Sequence, residues 1–230
     1  KSLYTVDWQP QTLAQGEPRV DARAGMPSRT WLILADGQGV GANLAAQLRG
    51  QGDRAVLAYR GEGWGQEGPD TFSVGAERGE DLRRLVAQLA GGGPGVHGVV
   101  HLWGLDEAGE LVPAACGGCG MALLLVQALV EERVRPAGLW LVTRDAQAVV
   151  SGDRVTGSAQ AGLWGMGKVI TLEHPELNAT CVDLGWGEDA DGCAQQLYTE
   201  IVAHAGQSRP EREIALRQGA RFVARLQRYG

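Results

Sequence analysis

Trp31-Leu32-Ile33-Leu34 is a continuous apolar run, and Gly37-Gln38-Gly39-Val40-Gly41-Ala42 follows it after Ala35 and Asp36. An apolar run of this kind is typical of a strand that is buried on both faces of a parallel sheet. Residues 40–49, which Gly50 bounds, have the pattern of a helix. The stretch therefore predicts the first strand–turn–helix unit of an α/β layer fold.

The same alternation continues along the chain. Further strands are predicted at residues 55–59, 96–102, 138–143 and 179–184, and helices at 77–90, 121–130, 159–172 and 190–204. Alternating strands and helices of this length specify a mostly parallel sheet with helices on both faces. We therefore predict an α/β protein with a truncated or degenerate Rossmann-like fold.

The two ends of the chain depart from this alternation. Tyr4-Thr5-Val6-Asp7-Trp8 alternates apolar and polar residues, as a half-buried strand does, and a polar linker separates it from the rest. Residues 213–217 and 221–226 flank Gln218-Gly219 like a hairpin, and Thr71-Phe72-Ser73-Val74 is interpreted as a connection. We divide the chain into a leading strand and linker at 1–29 and a Rossmann-like domain at 30–230.

Composition excludes several classes of function. The 27 acidic residues outnumber the 21 basic ones, for a net charge of −6, so there is no basic field for nucleic acid or anionic lipid. The longest apolar runs are shorter than the ~20 residues of a membrane helix. Residues 1–10 show no secretory signal, so we expect a cytoplasmic protein with reduced thiols at its four cysteines.

The glycine-rich turn raises the possibility of a dinucleotide site. Gly37, Gly39 and Ala42 fit G-x-G-x-x-G/A between a strand and a helix, where a pyrophosphate approaches the helix N-terminus. The following strand ends in Arg60 rather than in the acid that binds a ribose, and Arg60 suits a 2′-phosphate instead. The alternative interpretation is that the glycines only let the helix pack close to the sheet.

No reductase centre is visible in the sequence. A short-chain reductase needs a serine and a tyrosine with a lysine or asparagine nearby, so that a phenol of lowered pKa donates a proton to the carbonyl. Tyr198 has Val202 where the lysine or asparagine is required, and no tyrosine lies between Ser158 and Lys168. The remaining tyrosines are Tyr4, Tyr59 and Tyr229.

Cysteine and histidine offer only weak signals. Cys116-Gly117-Gly118-Cys119 precedes a predicted apolar helix, whose N-terminus would stabilise a redox-active thiolate. A four-thiolate zinc site would also need Cys181 and Cys193, whose spacing is not that of a zinc ribbon. His97 and His101, like His174 and His204, form no metal-binding helix pair. We therefore predict no metal site.

Several segments together resemble the structural subdomain of a ketoreductase from a modular polyketide synthase. The resemblance runs in order from residue 3 to residue 226. The matching segments are Leu3-Tyr4 with Trp8, Val100-His101-Leu102-Trp103 with Leu105-Asp106, Leu123-Leu124-Leu125-Val126-Gln127-Ala128-Leu129, Leu139-Trp140-Leu141-Val142-Thr143-Arg144 with Ala146-Gln147, Leu163-Trp164-Gly165-Met166-Gly167-Lys168-Val169-Ile170, Leu172-Glu173-His174-Pro175-Glu176-Leu177, Val182-Asp183-Leu184, and the closing hairpin from Glu213 to Leu226.

The resemblance implies a division of labour. In that family a first, degenerate Rossmann-type half is structural, and a second half binds NADPH and reduces the β-keto group of an acyl chain held on a carrier protein. This chain resembles the first half alone, so it is expected to carry no catalytic residue and no cofactor. The implied partners are the catalytic half, which would begin after Gly230, the neighbouring synthase domains and, indirectly, the acyl carrier protein.

Other functions stay open at this stage. The chain could be an autonomous NAD(P)-binding reductase that uses the 37–42 turn, or a pseudo-ketoreductase scaffold beside a methyltransferase or an enoylreductase. A dithiol redox module at Cys116 and Cys119 is a third alternative. For the scaffolding role, Tyr4 and Trp8 are our candidates for contact with the catalytic half, unless they pack on their own sheet.

Overall fold

A single ten-stranded sheet organises the residues that the computed structural model describes, which are 3–13, 27–75, 78–93, 95–107, 110–204, 207 and 210–228. The strand order is β1-β10-β9-β8-β7-β6-β2-β3-β5-β4. The central strands, from β9 to β5 in this order, pair in parallel. Antiparallel pairs close both edges, through β1, β10 and β9 at one end and β5 and β4 at the other.

The strands and helices follow the alternation that the sequence predicts. The strands are β1 (Tyr4–Pro10), β2 (Thr30–Ala35), β3 (Arg54–Gly61), β4 (Gly65–Gly68), β5 (Thr71–Gly75), β6 (Val96–His101), β7 (Gly138–Arg144), β8 (Ala179–Leu184), β9 (Glu213–Arg217) and β10 (Ala220–Arg228). The helices are α1 (Val40–Gly50), α2 (Gly79–Gly91), α3 (Leu111–Glu131), α4 (Gly162–Glu173) and α5 (Ala190–His204), with short 3₁₀ turns at Trp103–Asp106, Ser158–Ala161 and Pro175–Leu177.

Helices cover the sheet on both faces. In β2, Trp31 and Ile33 belong to the core shared with α1 and α5, whereas Leu32 and Leu34 belong to the core shared with α2, α3 and α4. This alternation explains why the strand is apolar at every position, since both of its faces are buried. The mostly parallel, Rossmann-like fold with helices on both faces is confirmed.

The helix α3 is longer than the sequence suggested. We predicted residues 121–130, but α3 begins at Leu111 and runs for 21 residues through the glycines of the Cys116–Cys119 segment. With a mean hydropathy of 1.7, it is long and apolar enough to cross a membrane by length and composition alone, a test that the core helix of a soluble protein also passes. In the fold, α3 packs between α2 and α4 with Leu125 and Leu129 fully buried.

Residues 71–75 form a strand rather than a connection. Phe72 and Val74 are fully buried and Ser73 lies on the other face, which is the period-2 pattern of a strand. This strand, β5, pairs in parallel with β3 and antiparallel with β4. The sheet therefore extends two strands beyond β3.

The leading strand lies in the same sheet as the rest of the chain. β1 pairs antiparallel with β10, so that Tyr4 lies opposite Arg228, Val6 opposite Leu226 and Trp8 opposite Ala224. Residues 14–26, which contain most of the predicted linker, lie outside the described residues. The domain boundary at residue 29 stays a prediction.

Candidate functional site

The glycine-rich turn joins the carboxyl end of β2 to α1, the position at which a Rossmann fold binds a dinucleotide. Gly39 has a φ of 100°, in the left-handed region that favours glycine. A Cβ atom on Gly41 would lie 2.9 Å from the Cβ atom of Ala35, so Gly41 allows α1 to pack tightly on β2. This close packing is the non-nucleotide role that the sequence analysis left open for the turn.

The carboxylate of Asp36 occupies the N–H groups at the start of α1. Its Oδ2 atom accepts hydrogen bonds from the backbone N–H of Gln38 at 3.1 Å and of Val40 at 3.2 Å. Its Oδ1 atom accepts from the N–H of Gly41 at 2.7 Å. Free N–H groups at a helix N-terminus are what binds a pyrophosphate. Here a side chain that is only 1% exposed already caps them.

A second carboxylate approaches the same turn from β6. Asp106 ends the 3₁₀ turn that follows β6, and its Oδ2 atom accepts a hydrogen bond from the N–H of Gly37 at 2.7 Å. Burial raises the pKa of Asp106, and the neighbouring Asp36 raises it further, against the lowering effect of the Gly37 bond. Two acidic groups thus lie where the phosphates of a dinucleotide would bring further negative charge.

Side chains also clamp the turn onto the neighbouring strands. The Gln38 amide donates through Nε2 to the carbonyl oxygen of Leu105 at 2.8 Å. Arg144, at the end of β7, donates through Nη1 to Oε1 of Gln38 at 2.6 Å. The turn is therefore fixed by the chain's own contacts across the carboxyl edge of the sheet.

Arg60, the residue predicted to suit a 2′-phosphate, has a carboxylate partner. It lies near the end of β3, and its Nη1 atom is 2.6 Å from Oε1 of Glu107. The ion pair links β3 to the loop after β6. A phosphate at this position would have to compete with Glu107 for the guanidinium group.

A buried polar network lies at the carboxyl ends of β7 and β8, and the sequence analysis missed it. Arg217 Nη2 is 2.6 Å from Oδ2 of Asp183, whose Oδ1 accepts from the Thr143 hydroxyl at 2.5 Å. Trp164 donates through Nε1 to the Thr143 hydroxyl oxygen at 3.0 Å. All four side chains are buried. The network joins α4, β7, β8 and β9, so it fixes structure rather than presenting an acid to a substrate.

The described tyrosines lie on three separate elements of the fold. Tyr4 lies on β1, Tyr59 on β3 and Tyr198 on α5. Burial raises the pKa of Tyr59, and the nearby Asp36 raises it further, which is opposite to what a phenolic proton donor requires. Tyr229 lies outside the described residues. Tyr59 lies opposite Ser73 in the pairing of β3 with β5.

The cysteines are not arranged as predicted for a redox pair. Cys116 and Cys119 lie within α3 rather than before it, so the helix N-terminus at Leu111 does not act on either thiol. Burial, together with the neighbouring Cys116, raises the pKa of the Cys119 thiol. Cys181 and Cys193 belong to the cores on opposite faces of the sheet. Among the described residues, no group of three or more metal-ligating side chains converges.

The two interface candidates have different surroundings. The Trp8 ring packs edge-on against the ring of Trp164, with centroids 5.7 Å apart and planes at 82°. Tyr4 is 59% exposed on the same face of β1. Trp8 is thus partly used within its own sheet, and the contact of both residues with a catalytic half stays a prediction.

Comparison with known proteins identifies the family. Residues 6–226 match the model of the family described as "Polyketide synthase extender module SpnB, Rossmann fold domain". The chain belongs to this family. Among the relatives of this polyketide synthase Rossmann domain are the pikromycin synthase component PikAII of Streptomyces venezuelae, 34% identical over 98% of the chain, and the synthase GfsA of Streptomyces halstedii, 36% identical over 67%.

Solved ketoreductases have the same fold. The Rossmann domain superposes on a C2-type ketoreductase from a modular polyketide synthase with a TM-score of 0.73 at 29% identity, and on A-type ketoreductases with 0.66 at 26%. The ketoreductase-containing module of a nonribosomal peptide synthetase gives a TM-score of 0.80 at 20% identity, which shows the fold alone. The protein is therefore a ketoreductase-like Rossmann domain of a modular polyketide synthase.

The chain is a small part of its relatives. The superpositions include 99% of this chain, but only 44% of the C2-type ketoreductase chain and 42% of the A-type chain. It spans 6% of PikAII and 2% of GfsA. The relatives thus contain a large additional part beside the region that this domain matches.

Proposed function

We propose that this chain is the structural subdomain of a polyketide synthase ketoreductase and that it binds no NADPH itself. One observation carries the proposal: the backbone N–H groups of Gly37, Gln38, Val40 and Gly41 all donate to carboxylates of this chain. A dinucleotide would have to displace Asp36 and Asp106 while adding negative charge beside them.

The proposed work of the subdomain is to stabilise a catalytic half of the same synthase. That half binds NADPH, provides the proton donor and reduces the β-keto group of an acyl chain held on an acyl carrier protein. The coverage of less than half of two solved ketoreductase chains leaves room for a second lobe of similar size. Packing against this rigid Rossmann domain would limit the movement of the loops of the catalytic half.

Titration with NADPH tests this proposal. We expect no saturable change in nucleotide fluorescence when the folded chain is titrated to millimolar NADPH, because the phosphate-binding N–H groups are already occupied. The matched control is the complete ketoreductase region of the same synthase, which should bind one NADPH per chain. Saturable, micromolar binding by the chain alone would support the autonomous reductase instead.

A carboxylate variant sharpens the test. Asp36→Ser combined with Asp106→Ser removes both negative charges while leaving the glycines in place. If the carboxylates are what excludes the nucleotide, this variant should bind NADPH more tightly than the unmodified chain, whose binding should be too weak to measure. Tight binding by the unmodified chain, unchanged in the variant, would contradict the role given to Asp36 and Asp106.

A further inference from the structure

A polar cavity opens at the amino edge of the sheet, opposite the edge that carries the glycine-rich turn. It has a volume of about 480 Å³ and lies where β2, β6, β7 and β8 begin. None of its lining residues belongs to the glycine-rich turn or to the buried network around Arg217. The polar side chains of the lining are those of Ser28, Arg29, His97, Arg135, Glu176 and Asn178.

The guanidinium group of Arg29 is held in place beside the cavity. Arg29 directly precedes β2, and its Nε atom lies 3.4 Å from Oδ2 of the buried Asp53. Its Nη1 atom lies 3.3 Å from Nε2 of His97, and the group lies over the Trp31 ring at 5.9 Å from the ring centroid. The Arg29 side chain is still 27% exposed, so a fixed cation remains accessible from the cavity.

Two more guanidinium groups belong to the same edge of the sheet. Arg135 lines the cavity from the segment before β7 and is exposed. Arg212, directly before β9, donates through Nη2 to Oδ1 of Asn178 at 3.3 Å, and this bond orients the Asn178 amide in the lining. Three of the parallel strands are thus preceded or approached by an arginine at this edge.

The carboxylates nearby are already engaged by donors of the chain. Glu176 is the acidic residue of the described lining, and its Oε1 atom lies 3.2 Å from Nδ1 of His174. Asp53 lies outside the lining and accepts from the Trp31 indole N–H at 3.0 Å and from the Arg29 backbone N–H at 3.1 Å. The charge of each carboxylate is therefore shared among several groups, and the cavity keeps cationic character in a chain of net charge −6.

We infer that this cavity binds a small anion with several oxygen atoms, of the kind found in a phosphate ester or a carboxylate. Guanidinium groups bind such oxygens through paired hydrogen bonds, and the Ser28 hydroxyl and the Asn178 amide add neutral donors. The volume also leaves room for a small organic group beside the anionic one. The inference does not depend on the proposed function, because the cavity and the glycine-rich turn lie at opposite edges of the sheet.

Titration of the ¹⁵N-labelled chain with inorganic phosphate at constant ionic strength tests the site. We expect saturable shifts of the backbone amide signals of Val96, His97 and Asn178, with little change at Gly37 and Gly41. A parallel titration with citrate shows whether a phosphate or a carboxylate is preferred. No saturable shift at the cavity with either anion, or shifts at Gly37 and Gly41 alone, would overturn the inference.

Arginine variants give a matched comparison in the same titration. Arg135→Met should weaken phosphate binding by about tenfold, as expected when one charged hydrogen-bonding group is lost. Arg83→Met removes the same charge from an exposed residue of α2 outside this cavity, and it should change the affinity by less than about twofold. Equal affinities of these two variants would contradict the assignment of the site.

A substitution at Arg29 tests the geometry of binding. Arg29→Lys keeps a cation beside the buried Asp53, so the chain should still fold, but a lysine cannot make the paired hydrogen bonds of a guanidinium. We expect it to weaken phosphate binding while the amide spectrum stays that of the folded chain. Unchanged phosphate affinity in both Arg29→Lys and Arg135→Met would show that the cavity does not bind the anion.

Discussion

The Asp106 carboxylate accepts a hydrogen bond from the backbone N–H of Gly37 at 2.7 Å, across 69 residues of sequence. The bond joins the loop after β6 to the turn after β2, at the carboxyl edge where a Rossmann fold binds its nucleotide. Asp36 accepts hydrogen bonds from the adjacent N–H groups, so carboxylates of the chain itself occupy the N–H groups of this turn. On the proposed function, the turn is a structural joint and not a nucleotide site.

Removal of the Asp36 carboxylate should destabilise the chain. Asp36→Ala leaves three backbone N–H groups at the start of α1 without their acceptor, which costs about 2–3 kcal/mol of the free energy of unfolding. Urea denaturation followed by circular dichroism measures it. Asp36→Asn keeps one acceptor oxygen and should lose less, so equal losses in the two variants would contradict the capping role.

The buried Arg217–Asp183 ion pair should contribute far more to the free energy of unfolding than an exposed ion pair does. Arg217→Met leaves the fully buried Asp183 carboxylate without its cation, at a cost of about 3–5 kcal/mol in the free energy of unfolding. The control is Arg83→Met, which removes a 3.8 Å pair with Glu131 in which both side chains are more than half exposed. That change should cost less than about 0.5 kcal/mol. Similar urea midpoints for both variants would contradict the argument.

The sequence alone correctly predicted the bounds of elements whose two faces are both buried. A strand such as β8 (Ala179–Leu184) is bounded as predicted, and every side chain in it is buried. The start of α3 was missed because Gly117 and Gly118 suggested a break, whereas packing against α2 and α4 outweighs the low helix propensity of glycine.

The candidate site was only half predictable. The motif located the turn, but the acceptors of its N–H groups depend on tertiary structure. Asp36 is a single acid after a strand, which is a common residue at a helix start, and Asp106 reaches the turn only because β6 lies beside β2 in the sheet. No local sequence pattern shows that β6 and β2 are neighbours in the sheet.

Stability should fall in acid because of buried His101. Burial lowers its pKa from 6.5 to about 4, since the charged form is poorly solvated between the layers. Between these two pKa values the unfolded chain binds a proton at His101 that the folded chain does not bind. Protonation of His101 therefore has no effect on the free energy of unfolding above about pH 6.5, and it lowers that free energy by about 3 kcal/mol as the pH falls towards 4. Urea titrations across this range measure the slope.

A histidine variant isolates that contribution. His101→Leu removes the titrating group, so the dependence of unfolding free energy on pH should flatten between pH 6.5 and pH 4. His204, whose pKa burial also lowers to about 4, remains in the variant and leaves a residual slope. An unchanged slope in His101→Leu would show that other groups control acid unfolding.

The cysteines should alkylate in the order of their exposure. Cys116 is exposed, whereas burial raises the pKa of Cys119 and raises that of Cys181 to about 12. Iodoacetamide at pH 8 should therefore modify Cys116 first and Cys181 only on unfolding, because the thiolate is the reactive form. Peptide mass spectrometry gives the rates. Reaction of Cys119 faster than Cys116 would revive the redox module that the structure argues against.

Substitutions of Trp8 and Tyr4 should distinguish an effect on the stability of the chain from an effect on its contact with the catalytic half. In the chain alone, Trp8→Ala removes the edge-on contact with Trp164 and should cost about 2 kcal/mol in the free energy of unfolding. Tyr4→Ala changes a side chain that is 59% exposed and should cost less than about 0.5 kcal/mol.

In the complete ketoreductase region the ranking should change. If Tyr4 meets the catalytic half, Tyr4→Ala lowers both the melting temperature and the rate of ketoreduction there, because burial in an interface gives its ring a contribution that it lacks in the chain alone. Val202→Ala, on the opposite face, should leave both unchanged. Equal melting shifts for Tyr4→Ala and Val202→Ala in the complete region would remove Tyr4 from the interface, whereas the Trp8 result reports on the sheet in either case.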